Sequence, residues 1–305
     1  MTRRAAIDIG TNSVRLLVAD VGEAPPGDAV RPVDRRLAIT RLGESLHAGG
    51  LLTPDAAART AAVVEAYVAR AREWDVPHPV VAATYAVRAA RNPDALLSRL
   101  SVPVRVLSGE EEAALGFRGV VAGLPDLAPA APVVVLDVGG GSVEITWGTA
   151  GRGVEGSGSL PIGCVVMTRR AIAHDPPARS EITALEETLG AALEPLLAPL
   201  RFRTERLVGV GGTVTTLAAM AQRLVPYDPD RVHGYRVTAS EVGRLLETLR
   251  GVPLAERRRL PGLQPERADV IVAGTLVVRH VLGSLRCDAI TASEADLLWA
   301  LAAGG

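Results

Sequence analysis

Two short segments of the chain, AIDIGTNSVRLLVAD at 6–20 and VLDVGGGSVEITWG at 135–148, read as one hairpin written twice. Each runs apolar residues into Asp-x-Gly, continues through small or polar residues to Ser, and starts a second strand at Val. In register, Asp8 falls on Asp137, Gly10 on Gly139, Ser13 on Ser142 and Val14 on Val143, at a constant offset and without a gap. Such a duplication predicts two similar half-molecules facing one ligand.

At 305 residues the chain is long enough for two domains, each burying its own core. The formal charge of -1 argues against a protein that coats a nucleic-acid polymer or an anionic membrane, since both need a strong basic field. The opening MTRRAAIDIG enters a strand without a secretory apolar region, and no apolar run is long enough to span a bilayer. Cys164 and Cys287 lie far apart and outside any CxxC pattern, against a disulfide framework or a cysteine zinc site. A cytoplasmic enzyme is the expectation. All 33 basic residues are arginine. The absence of lysine excludes a Walker A loop and Schiff-base chemistry, whereas arginine still grips phosphate through its planar fork of donors.

β-branched runs bounded by Gly, Pro or charges predict strands at 5–9, 14–21, 36–41, 79–83 and 103–107. A helix is predicted over 54–74, capped by Thr53 and opened by Pro54, with shorter ones over 85–91 and 93–99. The Pro- and Ala-rich AGLPDLAPAAP at 122–132 marks a domain boundary, giving domains 1–124 and 125–305. The second half repeats the plan with strands 133–138, 143–148 and 154–161, helix 181–197, strand 206–210 and helix 213–224. It ends with helix 239–250 behind a Thr238…Glu241 capping box, helix 266–284 opened by Pro265, strand 287–291 and helix 294–303. The fold class is α/β.

A turn that approaches phosphate oxygens closely lacks side chains there and points backbone N–H groups at the anion. Gly139, Gly140 and Gly141 do this in the second copy, while Gly10, Thr11, Asn12 and Ser13 supply one glycine and three side-chain donors in the first. A tight hairpin needing glycine for backbone reasons alone is the competing account of either copy taken singly. An acid beside phosphate needs a bridging cation, so Asp8 and Asp137 are candidate Mg²⁺ or water ligands, with an Asx-turn as the alternative. Arg15 in the first copy stands opposite Glu144 in the second: a basic residue suits phosphate, an acid suits metal or an attacking water. A solvated strand position is the other reading of each.

A third glycine cluster, VGVGGTVTTLAAM at 208–220, follows a strand and opens a helix, so Gly211, Gly212 and Thr213 form another anion-site candidate. SGEEEAALGFRGVVAG at 108–123 reads as a helix with Ser108 as cap and Glu111 completing the box. Glu112 is one residue too deep for that role. It shares a helical stripe with Gly116 and Gly119, each of which costs about 1 kcal/mol relative to alanine, so something approaches the stripe closely. A carboxylate there can take a proton from attacking water, although a solvent-facing glutamate in an acidic first turn is the alternative.

The pieces DIGTNSVRLLV, ITRLGESLHAGGLLT, ATYAVRAARN, VLSGEEEAALGFRGV, VVLDVGGGSVEI, PIGC, VGVGGTVTTLAA and LPGLQPERADVIVAG occur in this order along the chain. Together they resemble the exopolyphosphatase/guanosine pentaphosphate phosphatase (Ppx/GppA) family of the actin-like ATPase superfamily. The resemblance implies two ribonuclease-H-like domains with mixed five-stranded sheets flanked by helices, an active site in the interdomain cleft, and a C-terminal helix packed back on the first domain. It further implies Mg²⁺- or Mn²⁺-dependent hydrolysis of a terminal phosphoanhydride, while a homodimer stays an open expectation. By the same resemblance Glu112 activates water, and Asp137 and Glu144 position metal or water; Asp8 remains the metal candidate read from its own hairpin. Asn12, Ser13 and Arg15, and Gly139, Gly140, Gly141 and Ser142, form the phosphate loops. Arg88 binds substrate phosphate, with Arg41 and Arg267 as further candidates that structural ion pairs would also explain. Two features depart from the family pattern: the C-terminal helical domains of long members are missing, and Leu298, Trp299 and Ala300 stand in place of an Arg-Glu-Gly ending.

The leading reading is therefore an exopolyphosphatase acting on short polyphosphates. A guanosine pentaphosphate 5′-phosphohydrolase keeps the fold and changes the substrate, and aromatic residues, at 3%, offer no base-stacking cluster for it. A non-hydrolytic actin-like ATP-binding protein is the third reading, since fold alone does not determine function.

Overall fold

The computed structural model describes residues 1–22, 30–124, 126–201 and 204–304; Pro125, inside the expected boundary segment, lies outside them. The contacts divide the chain into one unit of Met1–Pro125 with Ala295–Gly305 and a second of Asp126–Glu294.

The first unit contains β1 (Thr2–Ile9), β2 (Ser13–Val21), β3 (Val30–Ile39), α1 (Leu46–Gly49), α2 (Pro54–Glu73), β4 (Val80–Ala83), α3 (Tyr85–Ala89), α4 (Asp94–Leu97), β5 (Arg105–Val106) and α5 (Gly109–Gly123). The second contains β6 (Pro132–Val138), β7 (Val143–Thr149), β8 (Gly153–Leu160), α6 (Cys164–Ala171), α7 (Arg179–Leu197), β9 (Arg206–Val210), α8 (Gly211–Ala221), α9 (Pro229–Val232), β10 (Arg236–Thr238), α10 (Ala239–Gly251), α11 (Leu254–Arg257), α12 (Ile271–Leu285) and β11 (Ala289–Ala292). The last helix, α13 (Leu297–Ala303), packs on β1, β2 and α5 of the first unit.

The first sheet has the order β3-β2-β1-β4-β5 and the second β8-β7-β6-β9-β11-β10. In each, the first three strands form an antiparallel meander, and the strand after the following long helix joins in parallel beside the first. The sequence repeat is thus a repeat of the whole sheet plan. The second sheet differs from the five-stranded expectation by a sixth strand, β10, which pairs antiparallel with β11 at the edge.

Both first strands are central and apolar on both faces, as a two-sided core requires. Ile7, Ile9, Val14 and Leu16 pack against the stripe Ala57, Ala61, Val64 and Val68 of α2, whose Thr53 hydroxyl caps Ala56 N–H at 3.3 Å. The opposite face carries Ala6, Leu17 and Ala19 against Leu115 of α5 and the apolar α13. In the second unit Leu136, Val138, Val143 and Ile145 share a core with α7, α8, α10 and α12.

The largest departures from the expected elements are two boundaries and one helix. β3 begins at Val30, six residues early, because it is an edge strand: the bulge opposite Val18/Ala19 accommodates Pro32. Pro265 opens only the single 3₁₀ turn Pro265–Arg267, and the helix proper starts at Ile271. α6 was not foreseen at all. No helix is long and apolar enough to cross a membrane among the described residues.

Candidate functional site

The two hairpins close identically, by Gly10 N–H to Ser13 O at 2.9 Å and Gly139 N–H to Ser142 O at 3.1 Å. In each unit the segment after the third strand then clamps the loop from behind. Thr40 and Arg41 N–H donate to Asn12 O at 3.0 and 2.9 Å, and Gly43 N–H to Thr11 O at 2.9 Å. Arg41 adopts φ 53° to make its bond. In the second unit Gly163 N–H donates to Gly141 O at 3.1 Å, Cys164 N–H to Gly139 O at 2.9 Å, and Val165 N–H to Gly140 O at 2.9 Å. The N-terminal amides of α6 are thereby satisfied by the loop, and a side chain at Gly163 would stand 2.5 Å from the Gly140 carbonyl.

A trans peptide points its C=O and N–H in opposite directions. Carbonyls drawn back onto 40–43 and 163–166 therefore turn the amides of Asn12 and Ser13, and of Gly140, Gly141 and Ser142, toward the other side. The amides of Thr11, Asn12, Gly140 and Gly141 have no hydrogen-bond partner among the described residues. Each loop is a short row of donors with an anion-binding geometry.

The register pairs Asp8 with Arg15 and Asp137 with Glu144. Arg15 donates to Asp8 Oδ2 from Nε at 3.0 Å and Nη2 at 2.7 Å, and from Nη1 to Asp296 Oδ2. Two of its five N–H groups remain for another acceptor. Although burial disfavours its charge, Asp296 and Asp8 hold Arg15 protonated. Burial pushes the Asp8 carboxyl up, against the pull of Arg15, and Asp8 Oδ1 is buried without a hydrogen-bond partner. Asp296 also caps α13 through Oδ1 and Leu298 N–H at 3.0 Å, a role the sequence reading missed. Its signal was present: an aspartate directly before an apolar helical run.

In the second unit the buried Glu144 accepts from Ser159 Oγ at 2.7 Å. Gly211 opens α8 with φ +81°, where a side chain would stand 2.6 Å from Asp137 Oδ1, so the helix N-terminus lies against that carboxylate. The next residue, Gly212, leaves room for Arg267, whose Nη1 would lie 1.8 Å from a β-carbon there. Arg267 Nε is steadied by Gln264 Oε1 at 2.8 Å. The Thr213 side chain is buried against Gly274 of α12, which leaves its backbone N–H as the group available to the turn.

Glu112 sits one turn into α5, its N–H bonded to Ser108 O at 2.9 Å, while Ser108 and Glu111 complete the expected capping box. Arg88 of α3 donates from Nη1 to Glu112 Oε2 at 3.0 Å and to Leu107 O at 2.6 Å. A carboxylate and an arginine foreseen separately are thus one unit of structure. Of the two glycines on its stripe, Gly119 meets the Asp296 carbonyl of the α13 N-terminus, and nothing lies near Gly116.

Burial pushes the Cys164 thiol up to about 11, so at neutral pH it is no thiolate nucleophile. No cluster of three or more His, Cys, Asp or Glu side chains able to hold a metal occurs among the described residues. An oxygen-donor cation that keeps waters and takes phosphate oxygens fits the carboxylates present, and the orphaned Oδ1 of buried Asp8 suits it.

These features define a two-domain α/β protein of the ribonuclease-H-like, actin-like class, with a clamped phosphate-type loop in each unit. The chain belongs to the Ppx/GppA phosphatase family, whose profile matches residues 17–298. It is 37% identical to Exopolyphosphatase 2 of Mycobacterium tuberculosis, over 98% of this chain and 97% of that protein. The crystal structure of the Aquifex aeolicus Ppx/GppA family member superposes with TM-score 0.81 at 31% identity, covering 99% of this chain and 97% of that one. An exopolyphosphatase from Cytophaga hutchinsonii superposes with TM-score 0.89 at 27% identity, over 98% and 96%.

Proposed function

We propose that the chain is an exopolyphosphatase, removing the terminal phosphoryl group of inorganic polyphosphate by attack of water and releasing orthophosphate. The observation that carries the reading is the Arg88–Glu112 pair, a phosphate-type donor in direct contact with a candidate base at 3.0 Å. The near full-length relation to an exopolyphosphatase supports the substrate.

In this reading Glu112 takes a proton from water as its oxygen attacks the terminal phosphorus and the bridging P–O bond breaks. Arg88 and the outward amides of a phosphate loop stabilise charge on the equatorial oxygens, where phosphoryl transfer gains most of its rate. Arg267 beside the N-terminus of α8 concentrates positive charge suited to a phosphate at the second loop. Arg41 takes the same role beside the first loop. When bound, Mg²⁺ or Mn²⁺ supplies further neutralisation of phosphate charge; Asp8 in the first unit, and Asp137 with Glu144 in the second, are the candidate residues that would hold it within their own unit, directly or through water.

The test is orthophosphate release from defined polyphosphates, guanosine pentaphosphate and ATP, each with and without Mg²⁺. Glu112→Gln is expected to lose about 10²–10⁴-fold in rate. Undiminished release removes Glu112 from its role, and release from the nucleotide alone moves the substrate.

A further inference from the structure

Arg15 is held from two sides, by a residue next to it on the hairpin and by one that arrives from the far end of the sequence. Asp296 Oδ2 accepts from Nη1, while Asp8 Oδ2 takes both Nε and Nη2 at 3.0 and 2.7 Å. That leaves Asp8 Oδ1 buried and unpartnered, with only 5% of the residue exposed. One guanidinium between two carboxylates sums to a net charge of -1, which favours a cation at the orphaned oxygen. Asp296 is itself held. Its Oδ1 caps α13, and its backbone carbonyl lies where a β-carbon on Gly119 of α5 would stand, 1.8 Å away.

We propose that Asp296 is a positioning residue for Asp8: by engaging Arg15 from the opposite side, it keeps Oδ2 occupied and Oδ1 presented to a divalent cation. The proposal rests on the metal-assisted reading above. Asp296 adds a role for the α13 N-terminus beyond helix capping, and explains why Gly119, on the helix that carries Glu112, is a glycine. Neutralising Asp296 brings the cluster to zero net charge and releases Nη1, so the guanidinium is free to swing across the carboxylate it now restrains.

Asparagine and serine both cap helices, so Asp296→Asn and Asp296→Ser keep that function and remove the charge. The measurement is Mn²⁺ binding to the intact protein in the presence of inorganic phosphate, without turnover, beside thermal melting. The expected result is a dissociation constant raised roughly 10- to 100-fold in both variants, the usual loss when an outer-sphere partner of a metal ligand is removed. The Mg²⁺ concentration for half-maximal orthophosphate release rises by the same factor, while kcat at saturating metal returns close to wild type. Combining Asp296→Asn with Asp8→Asn gives binding no weaker than Asp8→Asn alone, because the two act as one unit.

Wild-type Mn²⁺ affinity in both charge-removing variants overturns the proposal and leaves Asp296 as a cap only. A wild-type protein that takes up no Mn²⁺ overturns it as well. Loss of Mn²⁺ affinity in a protein that releases no orthophosphate from polyphosphate sustains the proposal and sinks the exopolyphosphatase reading instead.

Discussion

The hairpins at 6–20 and 135–148 share closing bond, register and rear clamp, and differ in charge. In the first, Asp8 faces Arg15, and the pair is completed by Asp296, 281 residues further on from Arg15. In the second, Asp137 faces Glu144, whose carboxylate is held by Ser159, only 15 residues away on the neighbouring strand. Backbone symmetry supplies equivalent amide donors in both units. One side chain on the returning strand then decides whether the site beneath them carries a closed ion pair or two acids.

Exchanging the signs tests that division most severely. Glu144→Arg gives the second hairpin the charge of the first, and orthophosphate release is expected to fall about 10²–10³-fold, the scale of removing one preorganised electrostatic group. Arg15→Glu does the reverse and leaves three carboxylates together, two of them buried. The expected loss is about 3–5 kcal/mol, read by denaturant unfolding, as for a buried pair deprived of one partner. Equal and small effects would mean that the asymmetry is incidental.

The glycines of α5 sharpen the comparison at smaller scale. Gly119→Ala drives a methyl into the Asp296 carbonyl, so α13 must withdraw from α5, at about 1–3 kcal/mol of stability. Gly116→Ala meets nothing within 4 Å and is expected to be neutral or to stabilise by up to about 1 kcal/mol. Thermal melts of the two variants separate close approach from helix propensity.

The smallest effect concerns the long helices that occupy equivalent places in the two units. α2 is capped by the Thr53 hydroxyl, whereas Glu181 near the start of α7 accepts from Ala173 and Ala178 N–H, each at 2.8 Å, and from His174. His174 and these amides hold the Glu181 carboxyl down to about 2 from the ordinary 4.5. A depressed carboxyl contributes stability that is present above the ordinary value and lost as pH falls toward about 2. Glu181→Gln should therefore melt below wild type at neutral pH and converge with it in acid, while Thr53→Ala shows a pH-independent deficit.

Much of the site was legible because hairpin loops place strict demands on local residue types. Gly139, Ser142 and Asp137 announce the second loop within a few positions, and Ser108 with Glu111 announces the start of α5. What failed to show depends on distant partners. α6 is a short helix, apolar only in its first turn, whose first amides are satisfied by the loop at 139–141, so no local capping residue marks it. Pro265 suits the first turn of either helix type, and only the structure shows the non-helical turn at 268–270 that sets its 3₁₀ turn apart from α12. The edge strand β10 is three residues long and joins the sheet through β11, far along the chain.

The duplicated hairpin, the arginine-only basic chemistry and the pairing of a capping box with a deeper Glu112 are written in the amino-acid sequence, because each is a property of neighbouring residues or of composition. Tertiary structure alone decided that Arg15 is clasped by Asp8 and Asp296 and that Arg88 reaches Glu112. An ion pair depends on distance in space, and in both cases the partner comes from a different element of the fold.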